Sequence, residues 1–144
     1  MIQVKDVVKS FDGNVVLNHV SATFEDGKVN MIIGQSGSGK TVLMKSMIGL
    51  HQVDEGQIIF DTSGGKQQDL ASMTEKEVRL LHREVGMLFQ GSALFDSMTV
   101  QENVMYPLEM FSDMSKSEIV ARARFCLERV NMPERSFGLM PSEI

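Results

Sequence analysis

The sequence has no tryptophan, one tyrosine, three prolines and a single cysteine, and each scarcity removes a class of protein. Cys126, being alone, cannot close an intramolecular disulfide and has no second thiol for a metal pair, so neither a disulfide scaffold nor a thiolate zinc site is available. Flanked by Phe125 and Leu127, it reads as a small apolar packing residue on a half-buried helix in a reducing compartment. No apolar run approaches the ~20 residues that a bilayer-spanning helix needs. The opening residues Met1-Ile2-Gln3-Val4-Lys5-Asp6 alternate like a strand and lack the pattern of a secretory leader. The sequence therefore reads as soluble, able to reach a membrane through a partner. Fourteen Lys and Arg face 19 Asp and Glu, a formal charge of −5, and the cations are spread thinly. Nucleic acid is accordingly not expected as a partner.

What is present suits one packed domain of ordinary size: 144 residues, 42% hydrophobic and 23% charged. Twelve methionines are many for this length. They serve as core filler or, alternatively, as a soft docking surface.

The most informative stretch is Gly34-Gln35-Ser36-Gly37-Ser38-Gly39-Lys40-Thr41, a full match to G-x-x-x-x-G-K-[ST]. About one chain in two hundred of this length would match by chance. The residue types explain the chemistry. Glycines allow the backbone to wrap so that successive N–H groups face a polyphosphate. Lys40 supplies a point charge, Thr41 a hydroxyl for Mg²⁺, and the helix that begins near Lys40 aims its positive end at the same anion. The context agrees: an apolar run precedes the loop, and Val42, Leu43, Met44, Met47, Ile48 and Leu50 follow at helical spacing.

Along the rest of the chain, residues 2–8 alternate as a strand. Asp12-Gly13-Asn14 is a turn, and 15–24 is a second strand with an irregular middle. Asp26-Gly27 signals another turn. Residues 29–33 and 85–89 are short, wholly apolar runs of the kind buried in parallel sheets. Residues 57–60 form a further strand after the break at Asp54-Glu55-Gly56, and 61–66 a loop. Thr74/Glu77, Thr99/Glu102 and Ser115/Glu118 are capping boxes, which open helices running to about Arg83, over roughly 100–111 and over roughly 116–130. Asn131, Met132 and Pro133 close the last. That order predicts an α/β core with a helical insertion.

The phosphate loop alone fits several nucleotide-dependent classes. Val85-Gly86-Met87-Leu88-Phe89-Gln90, followed by Ser92-Ala93-Leu94-Phe95-Asp96 and Met98-Thr99-Val100-Gln101-Glu102, strongly resembles the Q-loop region of ABC transporter ATP-binding subunits. The wording of 88–96 is most similar to the ATPases of bacterial MCE-type phospholipid transporters. Val7-Val8-Lys9-Ser10-Phe11 resembles the A-loop segment, and Leu139-Met140-Pro141-Ser142-Glu143-Ile144 the segment just before the signature motif.

The resemblance implies a P-loop NTPase fold of ABC type: a mixed or parallel sheet core with an antiparallel β layer and the start of a helical subdomain. It also implies an N-terminal portion, roughly three-fifths of a subunit, without the signature, Walker B, D-loop and switch histidine. Residues 1–90 would be the core with the A-loop and phosphate loop, and 91–144 the Q-loop continuation and partial helical subdomain. ATP and Mg²⁺ are the implied cofactors. Phe11 would stack on adenine with Val16 beside it. Gly34, Gln35, Ser36, Gly37, Ser38, Gly39, Lys40 and Thr41 would hold the phosphates, Lys40 and Gln90 would act in catalysis, and Thr41 and Gln90 would meet the metal. The implied partners are a transmembrane permease, a second copy of the subunit and an MCE-type substrate-binding protein, at the cytoplasmic face of the inner membrane. Leu94, Phe95 and Met98 are either local packing or a dock for a permease helix.

Taken alone, the 144-residue chain is expected to hydrolyse little ATP, and 29–33 and 85–89 are expected to carry exposed sheet edges. Ser63-Gly64-Gly65 and Ile58-Ile59-Phe60-Asp61 mimic pieces of a signature and a Walker B strand, but their positions read as a turn and a small antiparallel layer. His19, His51 and His82 read as surface or capping residues. A non-catalytic nucleotide-binding or interaction module remains the alternative, and a phosphoryl-transferring kinase a more distant one.

Overall fold

The computed structural model describes residues 1–61, 67–89, 91 and 93–144. They divide into two compact units, Met1–Met87 and Leu88–Ile144.

The first unit is built on four antiparallel strands, β1 (Ile2–Phe11), β2 (Asn14–Phe24), β3 (Glu55–Asp61) and β4 (Gln67–Asp69), in the spatial order β2-β1-β3-β4. A short helix, α1 (Lys40–Met47), packs its Leu43 and Met47 with Val4, Val7, Leu17, Ile58 and Phe60 into one core. A second helix, α2 (Glu75–Glu84), opens with the expected Thr74/Glu77 capping box. Its Leu81 lies against the same core.

A conflict in the sequence shapes β1. Strand side chains alternate faces, so Val4 and Val7 would point to opposite sides. Both are nonetheless buried, at 2% and 0% exposure. An irregularity between them absorbs the extra residue: the register slips between Val4 and Val7 against β2, and between Lys5 and Val8 against β3. Asp6, inside the bulge, takes φ 51°, and His19 across from it φ 49°. The Asp6 carboxylate meets His19 Nδ1 at 3.0 Å, and the Ser21 hydroxyl accepts from the Asp6 amide at 2.9 Å. This is the physical content of the irregular middle expected for the second strand.

Two expectations are corrected. Residues 29–33 and 85–89 are not strands. Val29, Ile33 and Leu88 are 95%, 85% and 90% exposed. An apolar run becomes a strand only when a neighbour takes up its N–H and C=O groups, and no described residue offers either run a ladder. Neither run therefore presents the expected sheet edge: both are irregular chain, and Ile32 packs against the core of the first unit. Strand pairing among the described residues is antiparallel throughout, so the expected parallel core is not formed by them. The segment 57–60 does belong to the antiparallel layer, within β3. Strand β4 was not anticipated, because Gln67-Gln68-Asp69 carries no apolar pattern. Ser63-Gly64-Gly65 lies outside the described residues.

In the second unit, α3 (Val100–Phe111) and α4 (Lys116–Arg129) begin at the Thr99/Glu102 and Ser115/Glu118 capping boxes, both fully formed. The first N–H groups of α3 are also taken up by chain carbonyls: Val100 donates to Leu139 at 2.8 Å and Gln101 to Phe137 at 3.0 Å. Val100, Leu127 and Phe137 form one buried cluster, and Met105, Ile119 and Ala123 another. Cys126 is a half-buried free thiol on α4.

The bulge predicts a sensitive position on β3. Gly56 has φ +85°, and a Cβ there would lie 2.5 Å from the Lys5 carbonyl oxygen and closer still to that of Asp6. Gly56→Ala should cost about 3 kcal/mol or more, combining left-handed strain with a backbone clash. A urea unfolding series on the purified protein checks this. A midpoint equal to that of the parent would mean that the bulge is not held as described.

Candidate functional site

The loop at 34–39 turns on glycines in left-handed conformation, Gly37 at φ 78° and Gly39 at φ 87°. The Ser38 amide donates to the Gln35 carbonyl at 3.2 Å, closing a tight turn. Lys40 Nζ reaches back over it and donates to the Gly34 and Gln35 carbonyls at 2.8 and 2.6 Å. The ammonium therefore lies along the loop's own backbone, where a point charge can serve a polyphosphate cradled there.

Helix α1 starts at Lys40, with Gly39 as N-cap and no side-chain cap bond. Its first intrahelical bond runs from the Leu43 amide to Gly39 at 2.8 Å. The amides of the first turn thus meet no capping side chain, and no acidic residue sits in that turn to neutralise the helix dipole. Thr41 is exposed in the same turn, which suits a hydroxyl that would hold Mg²⁺ beside a phosphate.

Gly39 also seats the loop on the sheet. A Cβ there would come within 3.0 Å of the Val16 carbonyl oxygen, 3.1 Å of Leu17 Cδ2 and 3.3 Å of Val16 Cγ1. Gly34 is similarly close to Ser38, whose Oγ would be 2.7 Å from a Cβ. Val16 therefore stands at the C-terminal side of the loop.

Phe11 ends β1 beside the turn Asp12-Gly13, which takes φ 49° and 81° as a tight hairpin turn requires. Phe11 is 38% exposed. The ring's neighbours are His51, with centroids 5.3 Å apart and planes at 75°, and Lys9 Nζ, 5.3 Å from its centroid. Gln90 lies outside the described residues. Among the described residues no group of three or more His, Cys, Asp and Glu could hold a metal, and no helix is long and apolar enough to cross a membrane.

Three contributors escaped the sequence reading. His51 touches the Phe11 ring, whereas sequence assigned it to the surface or a cap. Asp54 bonds Lys9 Nζ at 2.7 Å and the Ser10 amide at 2.6 Å. Asn103 holds the chain after residue 92: its Oδ1 accepts from the Phe95 amide at 2.8 Å, and its Nδ2 donates to the Phe95, Met98 and Thr99 carbonyls at 3.0 to 3.1 Å. With Phe95 also tilted against Tyr106 at 4.8 Å, the apolar loop is at least locally packed, although Leu94 and Phe95 stay 46% exposed. His82, read as a surface or capping residue, is exposed, and its Nε2 meets the Ile48 carbonyl at 2.6 Å, just beyond α1.

A family model for the ABC transporter matches residues 17–142. The chain belongs to the ABC transporter family. It is 37% identical over 135 residues to the methionine import ATP-binding protein MetN of Clostridium acetobutylicum, a match covering 94% of this chain and 40% of that protein. It is 32% identical over 146 residues to the phosphonates import ATP-binding protein PhnC of Fusobacterium nucleatum, covering 95% and 56%. It is 33% identical over 145 residues to the probable ribonucleotide transport ATP-binding protein mkl of Mycobacterium bovis, covering 99% and 38%. Among solved structures it is similar to the ATP-binding cassette MJ0796 in a dimeric post-hydrolysis state bound to ADP and Pi. There the TM-score is 0.84 at 26% identity, over all of this chain and 63% of that one. This ABC transporter chain thus has the P-loop NTPase fold of such cassettes and spans 38 to 56% of these curated relatives.

Asp54 gives a test of the contacts behind Phe11. The Lys9 ammonium, and then the Ser10 amide, hold its carboxyl below the ordinary 3.8. In the unfolded chain the carboxyl returns to its ordinary value. The folded state therefore gains from ionised Asp54 above that value and loses the gain as pH falls through it toward the lower folded pKa. The melting temperatures of the parent and of Asp54→Asn should differ by a constant amount above about pH 5 and converge below about pH 4. Thermal melts from pH 7 to 2.5 check this, and a difference that stays constant into acid would show that the pairing is not formed.

Proposed function

We propose that this chain is the phosphate-loop-bearing part of an ATPase subunit that couples ATP binding and hydrolysis to transport. The observation that carries the reading is Lys40: its ammonium is folded onto the turn of 34–39, at the start of a helix whose first turn has no side-chain cap. The loop amides and Lys40 would bind the β and γ phosphates. Thr41 would hold Mg²⁺, with Gln90 at the metal and the attacking water. Mg²⁺ would supply neutralisation of the phosphate charge while water attacks the γ phosphorus and ADP leaves with the bridging oxygen. Phe11 would stack on the base, with Val16 near it. Residues 1–90 would make up the nucleotide-binding core and 91–144 the part that communicates with a permease.

In such a subunit two copies face each other and move a transmembrane permease at the inner face of the membrane. The cargo proposed is phospholipid, with an MCE-type substrate-binding protein in the assembly. This rests on the wording of residues 88–96, whereas the names of the relatives mention methionine, phosphonates and ribonucleotides.

The test uses the full-length protein. Lys40→Ala should weaken ATP binding about tenfold or more, the loss of charge-assisted bonds worth about 1.5–3 kcal/mol, and should abolish phosphate release. Unchanged ATP binding would remove the nucleotide reading altogether. With the permease in vesicles, phospholipid should raise ATP turnover. Stimulation by methionine or a phosphonate instead would sink the lipid assignment and leave the ATPase standing.

A further inference from the structure

The backbone of 8–11 and the segment 51–54 are joined residue by residue. The Val8 carbonyl accepts from the Asp54 amide at 2.9 Å. Lys9 pairs with one oxygen of Asp54 and the Ser10 amide with the other. Phe11 then meets the His51 ring nearly at right angles. Such perpendicular aromatic contacts are attractive beyond the area they bury, and the Lys9 ammonium adds attraction to the ring's π system.

Phe11 needs this help. It is the last residue of a strand, next to a two-residue turn, and is 38% exposed. A side chain in that position samples several rotamers, and ordering it when a ligand arrives subtracts from affinity. The segment that supplies His51 is not independent of the phosphate loop. Helix α1 begins at Lys40, and just beyond its far end the Leu50 and His51 amides both point to the Lys45 carbonyl, at 2.9 and 3.4 Å. The same helix thus carries the loop at one end and the His51 turn at the other.

We propose that His51 and the Lys9–Asp54 pair are positioning residues that hold the Phe11 ring ready for a nucleotide base, at a spacing from the phosphate cradle set by α1. The inference deepens the proposed function and rests on Phe11 being the base-stacking residue. His51 and Asp54 touch the ring or its neighbours, not the phosphates, so their loss weakens recognition of the base alone.

The experiment measures binding of Mg-ATP and of Mg-tripolyphosphate to the full-length protein. Phe11→Ala should weaken ATP binding and spare tripolyphosphate. His51→Gln, which removes the ring but keeps a polar side chain, should weaken ATP about three- to tenfold, also sparing tripolyphosphate. His51→Phe, which restores an aromatic edge, should recover the loss. In a Phe11→Ala background, His51→Gln should have no further effect, because there is no ring left to position. Weak ATP binding in Phe11→Ala with parent-like ATP binding in His51→Gln overturns the positioning role and leaves Phe11's own role intact. Parent-like ATP binding in Phe11→Ala overturns both. Equal losses for ATP and tripolyphosphate in His51→Gln, as disrupted folding would give, also overturn it unless His51→Phe restores the split between the two ligands.

Discussion

The close approach of Gly39 to Val16 and Leu17 is the constraint on which the site depends. At this position the chain leaves a tight turn, enters α1 and rests on β2, all in one residue. Two of these demands disfavour a side chain: φ is +87°, and a Cβ would crowd the Val16 carbonyl oxygen at 3.0 Å. With glycine there, α1 can lie low enough for Leu43 and Met47 to join Val4, Val7 and Ile58 in the core. The phosphate loop is thereby held against the largest hydrophobic cluster of its unit. Its exposed turn inherits rigidity from burial that occurs beneath it, which a free glycine-rich loop would lack.

What could be read from the sequence divides by the distance over which each signal acts. The three capping boxes needed only four consecutive residues each, and all three are present as read. The phosphate loop is equally local, and so is the hairpin turn at Asp12-Gly13. Strands at 29–33 and 85–89 failed because an apolar run states that burial is wanted without naming what supplies it. Polar β4 failed for the opposite reason: its pairing with β3 comes from the backbone, and its side chains say nothing. His51, Asp54 and Asn103 were illegible for a third reason. His51 and Asp54 work through a ring, an ammonium and backbone groups that the fold brings near, and Asn103 through backbone groups four to eight residues before it, which no spacing rule used on the sequence encodes. The Phe11–His51 contact spans forty residues of sequence and exists because α1 returns the chain to the end of β1.

The bulge in β1 shows how a misfit in pattern becomes useful. Two valines three residues apart both claim the core, and the strand yields at Asp6 rather than exposing either. Bulges strengthen local twist and redirect the strand beyond them. Past the bulge β1 still pairs with β2 as far as Phe11 and Asn14, while its last partner on β3 is Glu55, opposite Val8. From there the contacts to 51–54 replace a sheet ladder. The aromatic end of β1 is therefore held on one edge by the ladder with β2 and on the other by one backbone bond and the side chains of Asp54 and His51.

Support for the phosphate loop is lopsided, and this bears on how it works. Its C-terminal side is fixed by Gly39 and α1, whereas Val29, Met31 and Ile33 on its N-terminal side are 77 to 95% exposed and in no strand among the described residues. The first half of the loop instead leans on Lys40, whose ammonium bonds the Gly34 and Gln35 carbonyls. The N–H donors of that ammonium are the same ones that a phosphate would claim. Binding would thus exchange internal bonds for bonds to the ligand, and only the difference would count toward affinity. Pairing residues 29–33 into a sheet would fix Gly34 and Gln35 from behind and relieve Lys40 of holding them. Order in the apolar run before the loop and affinity for a polyphosphate within it would then be coupled: a strand partner covering Val29, Met31 and Ile33 would tighten the site without touching it.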